Sequence, residues 1–202
     1  MKRLLASLLG LFFLICLASP AAAKEEDTPL VAADKALHKE FAAAIPKDKF
    51  KTVDDLHKKW EDVLAGTSKT ILLDVRSHPE FNAFHIEGSS HIQSGNVSLI
   101  HRRIKEPTTE IWVFSRTEYH AKFVAGYLYR TGYKNVHVVA KAPDGTEGGM
   151  VGWLKRGHPV VNYFFGYADK NGIHYSPPPL KERNCENYLR EFEGQRGDSC
   201  GK

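Results

Sequence analysis

Apolar residues fall four apart at Leu37, Phe41 and Ile45, and Pro46 closes the stretch. This spacing predicts a short amphipathic helix over 31–45 that packs across the domain. Thr52-Val53-Asp54-Asp55 then reads as a capping pattern, followed by Leu56, Trp60, Val63 and Leu64 on one helical face and a stop at Gly66. Three β-type runs come next: Ile71-Leu72-Leu73-Asp74-Val75, Glu110-Ile111-Trp112-Val113-Phe114 and Asn135-Val136-His137-Val138-Val139. Runs that are apolar on both faces fit buried parallel strands. A helical stripe of Ala121, Val124, Ala125 and Leu128 lies between the last two and ends at Thr131-Gly132. The alternation argues for a parallel sheet with helices on both faces. Beyond Pro159-Val160-Val161 the pattern changes: Tyr163 to Ala168 and Ile173 to Ser176 flank Asp169-Lys170-Asn171-Gly172, the signature of a β-hairpin. Pro177, Pro178 and Pro179 then precede a final helix, and this tail is too short to enclose a large core of its own.

The most apolar run of all stands at the start. Lys2 and Arg3 head an almost unbroken apolar stretch from Leu4 to Ala18, and Ala21, Ala22 and Ala23 precede Lys24-Glu25-Glu26-Asp27. These are the parts of a secretory signal peptide with cleavage expected after Ala23. The stretch falls short of the roughly 20 residues that span a bilayer, so no permanent membrane anchor is expected after cleavage. A lipoprotein signal at Cys16 is the weaker alternative, because Ile15 precedes it where a small residue is wanted. Periplasm is preferred over full secretion, and both remain open.

Export changes how the cysteines read. Loss of the signal leaves Cys185 and Cys200, which are expected to pair in an oxidising compartment and close a loop around the end of the C-terminal helix. Their spacing is not Cys-x-x-Cys, so a structural bridge is favoured over a redox centre. The full chain has a formal charge of +4, and removal of Lys2 and Arg3 brings it nearer zero. Neither nucleic acid nor an anionic membrane is implied as a partner. Length suits one domain with additions at its ends.

The residues around the first strand resemble a known family. Leu72-Leu73-Asp74-Val75-Arg76-Ser77-His78-Pro79-Glu80-Phe81, then Phe84-His85-Ile86-Glu87-Gly88-Ser89, look like the opening signature of rhodanese-like domains. Gly132-Tyr133-Lys134-Asn135-Val136, Gly148-Gly149-Met150-Val151-Gly152-Trp153 and Gly157-His158-Pro159-Val160 resemble the closing signatures, in order. Each motif alone is weak, but their succession within one domain length is a strong signal. The resemblance implies an α/β fold: a parallel five-stranded sheet with helices on both faces, plus a C-terminal hairpin and helix appendage. Expected boundaries are a signal peptide at 1–23, an N-terminal helical extension at 24–51, the rhodanese-like domain at 52–161 and the appendage at 162–202.

The same resemblance places the active-site loop at Ser115-Arg116-Thr117-Glu118-Tyr119-His120, before the Ala121 helix. Backbone N–H groups of such a loop and the positive end of the following helix hold an anion or stabilise a thiolate. Active relatives open this loop with a cysteine that carries sulfane sulfur as a persulfide. Here Ser115 stands in its place, and an unactivated hydroxyl cannot form that intermediate. Glu118 replaces a small residue and is expected to oppose anion binding; His120 replaces an arginine, so a fixed cation becomes a titratable ring. No thiosulfate:cyanide sulfurtransferase activity is expected. A serine nucleophile with His120 as base lacks an evident acid partner for the histidine. A sulfurtransferase-type enzyme with altered chemistry remains the alternative.

If the topology holds, Asp74, His78, His91, Glu118 and His120 share a rim, and Ser115, His120, Asp74, His78 and His91 are the candidate ligand-binding residues. Such a cluster could take a divalent metal. With ten histidines in the chain chance clustering is easy, and exposed polar residues around a vestigial pocket are the favoured reading; no cofactor is called for. Asp74, Arg76 and Glu80 fit internal polar contacts better than a catalytic set. His85 reads as structural and Trp153 as a core plug. Tyr163, Phe164, Phe165 and Tyr167 are either hairpin core or a partner patch. The expected role is binding of a protein or a small anion in the cell envelope.

Overall fold

The computed structural model describes residues 27–162, 166–169 and 172–174. The expected signal peptide and the expected final helix, Cys185 and Cys200, and Tyr163, Phe164 and Phe165 of the aromatic stripe lie outside these residues. The chain divides into two units at Asp34 and Lys35, and the description below concerns the second.

Helix α1 (Pro29–Ala43) ends two residues before its expected limit. Ile45 therefore leaves the helix and is buried in the main core instead. After it come β1 (Phe50–Lys51), α2 (Val53–Leu64), β2 (Ile71–Asp74), α3 (His78–Ala83), β3 (Ser90–His91), a 3-10 stretch at Ser94–Arg102, β4 (Ile111–Phe114), α4 (Glu118–Arg130), β5 (Val136–Val139) and α5 (Gly149–Lys155). The capping pattern at α2 forms as expected. Asp55 N–H donates to Thr52 Oγ1 at 3.1 Å, and Thr52 N–H donates to Asp55 Oδ2 at 2.9 Å.

The five strands form one parallel sheet in the order β1-β5-β4-β2-β3. Side chains alternate across a strand, and this alternation divides the core in two. Ile71, Leu73, Ile111, Val113, Val136 and Val138 face a layer built on Ala121, Val124, Ala125 and Leu128 of α4. Leu72, Trp112, Phe114 and Val139 face Val53, Leu56 and Val63 of α2 and Met150 and Trp153 of α5. Trp153 is fully buried, and its indole N–H donates to the Pro159 carbonyl at 2.7 Å. Both sheet faces are covered, which is why these strands are apolar throughout rather than alternating.

The hairpin is present as β7 (Gly166–Asp169) and β8 (Gly172–His174), paired antiparallel with Ala168 opposite Ile173. A further strand, β6 (Val160–Asn162), pairs with β7 and makes the small sheet three-stranded. Val160 reads in the sequence as the close of a family motif, and the strand it begins was not expected. His85 and Val161 exchange both backbone hydrogen bonds at 2.9 Å, joining the small sheet to the turn after α3. Among the described residues no helix is long and apolar enough to cross a membrane.

His85, His137 and His158 share an electrostatic condition. Burial lowers the pKa of each to about 4. The unfolded chain therefore takes up protons more readily than the fold between about pH 6.5 and pH 4, so stability is full near neutrality and falls as pH is lowered through this window. Urea unfolding at pH 7 and pH 5 checks this: His85 alone accounts for a loss of about 2 kcal/mol, and His85→Gln shrinks the difference between the two pH values.

Candidate functional site

Parallel strands send the loops that follow them to one edge of the sheet, and ligands bind there. Three such loops line one cavity of about 650 Å³. Val75, Arg76, Ser77 and Glu80 come from the end of β2 and the start of α3, Gln93 and Ser94 follow β3, and Ser115, Arg116, Thr117, Tyr119 and His120 lie between β4 and the first turn of α4. Ser115 is 2% exposed, whereas Arg116, Tyr119 and His120 are exposed. The serine thus sits at the buried end and the cationic and aromatic residues at the mouth.

Helix α5 fixes the loop from behind. Met150 N–H donates to the Ser115 carbonyl at 2.9 Å and Val151 N–H to the Arg116 carbonyl at 3.1 Å. Gly149 makes this approach possible: its φ is +61°, and a Cβ there would stand 2.3 Å from the Ser115 oxygen. Both requirements exclude a side chain at 149.

A second support lies beneath β2. The Arg76 guanidinium spans the Asp74 carboxylate, with Nη2–Oδ2 at 2.7 Å and Nε–Oδ1 at 3.0 Å, and also donates to the Phe84 carbonyl at 2.7 Å. The two side chains are 2% and 0% exposed. Such a fork-to-fork pair fixes the backbone where it enters the cavity. Glu80 accepts from Ser77 Oγ–H at 2.6 Å and from Ser77 N–H at 3.1 Å. The Ser77 hydroxyl bond, helped by the charges of Arg76 and Arg116, outweighs burial and holds the Glu80 carboxyl below its ordinary range.

A profile of the rhodanese-like domain matches residues 52–156. The chain belongs to the rhodanese-like family. Among solved structures, this rhodanese-like chain is similar to a polysulfide-sulfur transferase from Wolinella succinogenes, with 22% identity, 65% of this chain and 88% of that chain covered, and a TM-score of 0.47. It is also similar to the Alr3790 protein from Anabaena sp., with 20% identity, 52% and 88% coverage and a TM-score of 0.45. A thiosulfate sulfurtransferase from Pseudomonas aeruginosa is 27% identical over 56% of this chain and 20% of its own, with a TM-score of 0.45. No curated protein matches the chain.

The rhodanese-like site gathers only part of the expected rim. Ser115 and His120 line the cavity, but Asp74, His78 and His91 do not. Asp74 is held by Arg76. His91 points beneath the sheet edge, where Nε2–H donates to the Arg76 carbonyl at 2.8 Å and the ring stacks on Phe81 at 4.4 Å. His78 meets His91 edge-on at 4.8 Å. Among the described residues no group of three His, Cys, Asp or Glu side chains could hold a metal ion.

Glu118 also departs from expectation. Its carboxylate turns away from the cavity, pairing with Lys122 Nζ and accepting the Lys141 N–H at 2.7 Å. Burial acts to raise its pKa, but these two hydrogen bonds prevail and the net shift is downward. The charge that was expected to oppose an anion is neutralised elsewhere. Ser77, Glu80, Gln93 and Ser94 were missed as cavity residues, although their places just after strands offered a signal.

Removing one partner of the buried ion pair leaves the other charge without compensation. Asp74→Asn is expected to cost about 3 kcal/mol in urea unfolding, and a change below about 1 kcal/mol would show that Arg76 finds another acceptor.

Proposed function

We propose that this chain is an exported rhodanese-like protein whose cavity binds a small anion, or an anionic group on a protein partner in the cell envelope, without transferring sulfur. The observation that carries this reading is Ser115 at the buried end of the cavity, which the family resemblance reads as the place of the cysteine in active relatives. A serine hydroxyl stays protonated at neutral pH and forms no persulfide. The lining residues include no cysteine to replace it.

What is left is a cradle for negative charge. Arg116 supplies a planar, permanently charged donor at the mouth, and the first turn of the 13-residue helix α4 opens on the same space. His120 adds a second, ring N–H donor at the mouth. Glu118 is diverted to Lys122 and Lys141, so the loop's carboxylate does not cancel these donors. Glu80 also lines the cavity as an acceptor and favours ligands that carry a hydroxyl or amino group beside the anion. The export reading rests on the signal-type segment at residues 1–23.

Calorimetric titration with phosphate, sulfite and thiosulfate tests the reading. His120→Ala is expected to weaken binding several-fold by removing a ring N–H donor from the mouth. Arg116→Ala is expected to weaken binding about tenfold or more. Binding that ignores both His120 and Arg116 would remove the cavity from the account.

A further inference from the structure

One wall of the site is supported by a segment that lies before the family-matched residues, which begin at 52. The His38 ring of α1 stacks on Tyr119, with centroids 3.6 Å apart and planes at 22°. Tyr119 lines the cavity and is 42% exposed. The contact continues along α4. Phe41 meets Phe123 edge-on at 4.6 Å, Glu40 pairs with Arg130 at 2.6 Å, and the Arg130 guanidinium lies 5.4 Å from the centre of the Phe41 ring.

Gly126 shows how close this approach is. A Cβ at 126 would fall 2.2 Å from the Phe41 carbonyl oxygen, so the two helix backbones touch where α4 carries no side chain. The Lys35–Ala43 part of α1 is therefore seated on α4 by backbone contact as well as by aromatic packing. An exposed tyrosine at the first turn of a helix otherwise samples several rotamers. Ring stacking favours one of them by roughly two- to tenfold.

We propose that His38 is a positioning residue: by stacking on Tyr119 it holds that ring as a wall at the cavity mouth, and the wall limits the size of ligand that reaches Ser115. The inference rests on the reading of this cavity as the ligand site. It adds a determinant outside the loop itself. Loss of the stack frees the Tyr119 ring to swing into solvent, away from its edge-on contact with His120 at 5.6 Å, which widens the mouth.

The test uses a chemical probe in place of an unidentified ligand. In full-length protein carrying Ser115→Cys, alkylation at position 115 is followed by peptide mass mapping with iodoacetamide as the small reagent and N-phenylmaleimide as the bulky one. Adding His38→Ala is expected to raise the rate ratio of bulky to small reagent about threefold or more. His38→Phe, which keeps a stacking ring, restores the original ratio. Tyr119→Ala reproduces the effect, and His38→Ala adds nothing on top of it. An unchanged ratio in His38→Ala, or a position 115 that neither reagent reaches, overturns the proposal. Because labelling needs no bound anion, a failure of anion binding in calorimetry is distinguishable from a failure of the wall.

Discussion

Met150 and Val151 donate their backbone N–H groups to the carbonyls of Ser115 and Arg116, and the shape of the site follows from that clamp. A loop at the edge of a parallel sheet has few backbone partners of its own, and an unclamped loop would sample many conformations. Here α5 supplies the partners. The clamp exists only because position 149 combines a left-handed φ with the absence of a Cβ, and because Trp153, four residues on, anchors the same helix in the core. Packing and site geometry are thus one device: burying Trp153 positions α5, and α5 positions the loop.

Charge is distributed around the cavity with the same economy. Asp74 and Arg76 satisfy one another beneath the surface, so Arg76 gives the cavity a fixed wall more than a free cation. Glu118 is tied to Lys122 and the Lys141 backbone, behind the loop. Arg116, His120 and Glu80 line the same space.

The sheet was legible because its strands are apolar on both faces, as at Ile71–Asp74 and Ile111–Phe114, and because Thr52 and Asp55 announce a helix by local chemistry. Two-residue strands such as Phe50–Lys51 and Ser90–His91 carry no period to detect; only their neighbours make them strands. The loop from Ser115 to His120 was legible from the family resemblance, with which its place between a strand and a helix agrees. The direction in which its side chains turn was not. Glu118 was expected to face the anion and instead meets Lys141, a residue 23 positions away whose approach depends on the whole fold. Asp74 and His91 share a sheet register, but each is taken by Arg76, one through the side chain and one through the backbone. Residue type at a strand end predicts a neighbourhood, while competition among neighbours decides which groups reach the cavity.

The central claim is that a well-formed cradle has lost its sulfur-carrying nucleophile. Its most direct test is a sulfurtransferase assay, with thiosulfate as donor and cyanide as acceptor, on the wild-type chain and on Ser115→Cys. A thiolate at that position would attack the outer sulfur of thiosulfate, release sulfite and pass the sulfur to cyanide as thiocyanate. The account predicts no thiocyanate from the wild type and measurable turnover from Ser115→Cys. Turnover by the wild type equal to that of the variant would contradict it.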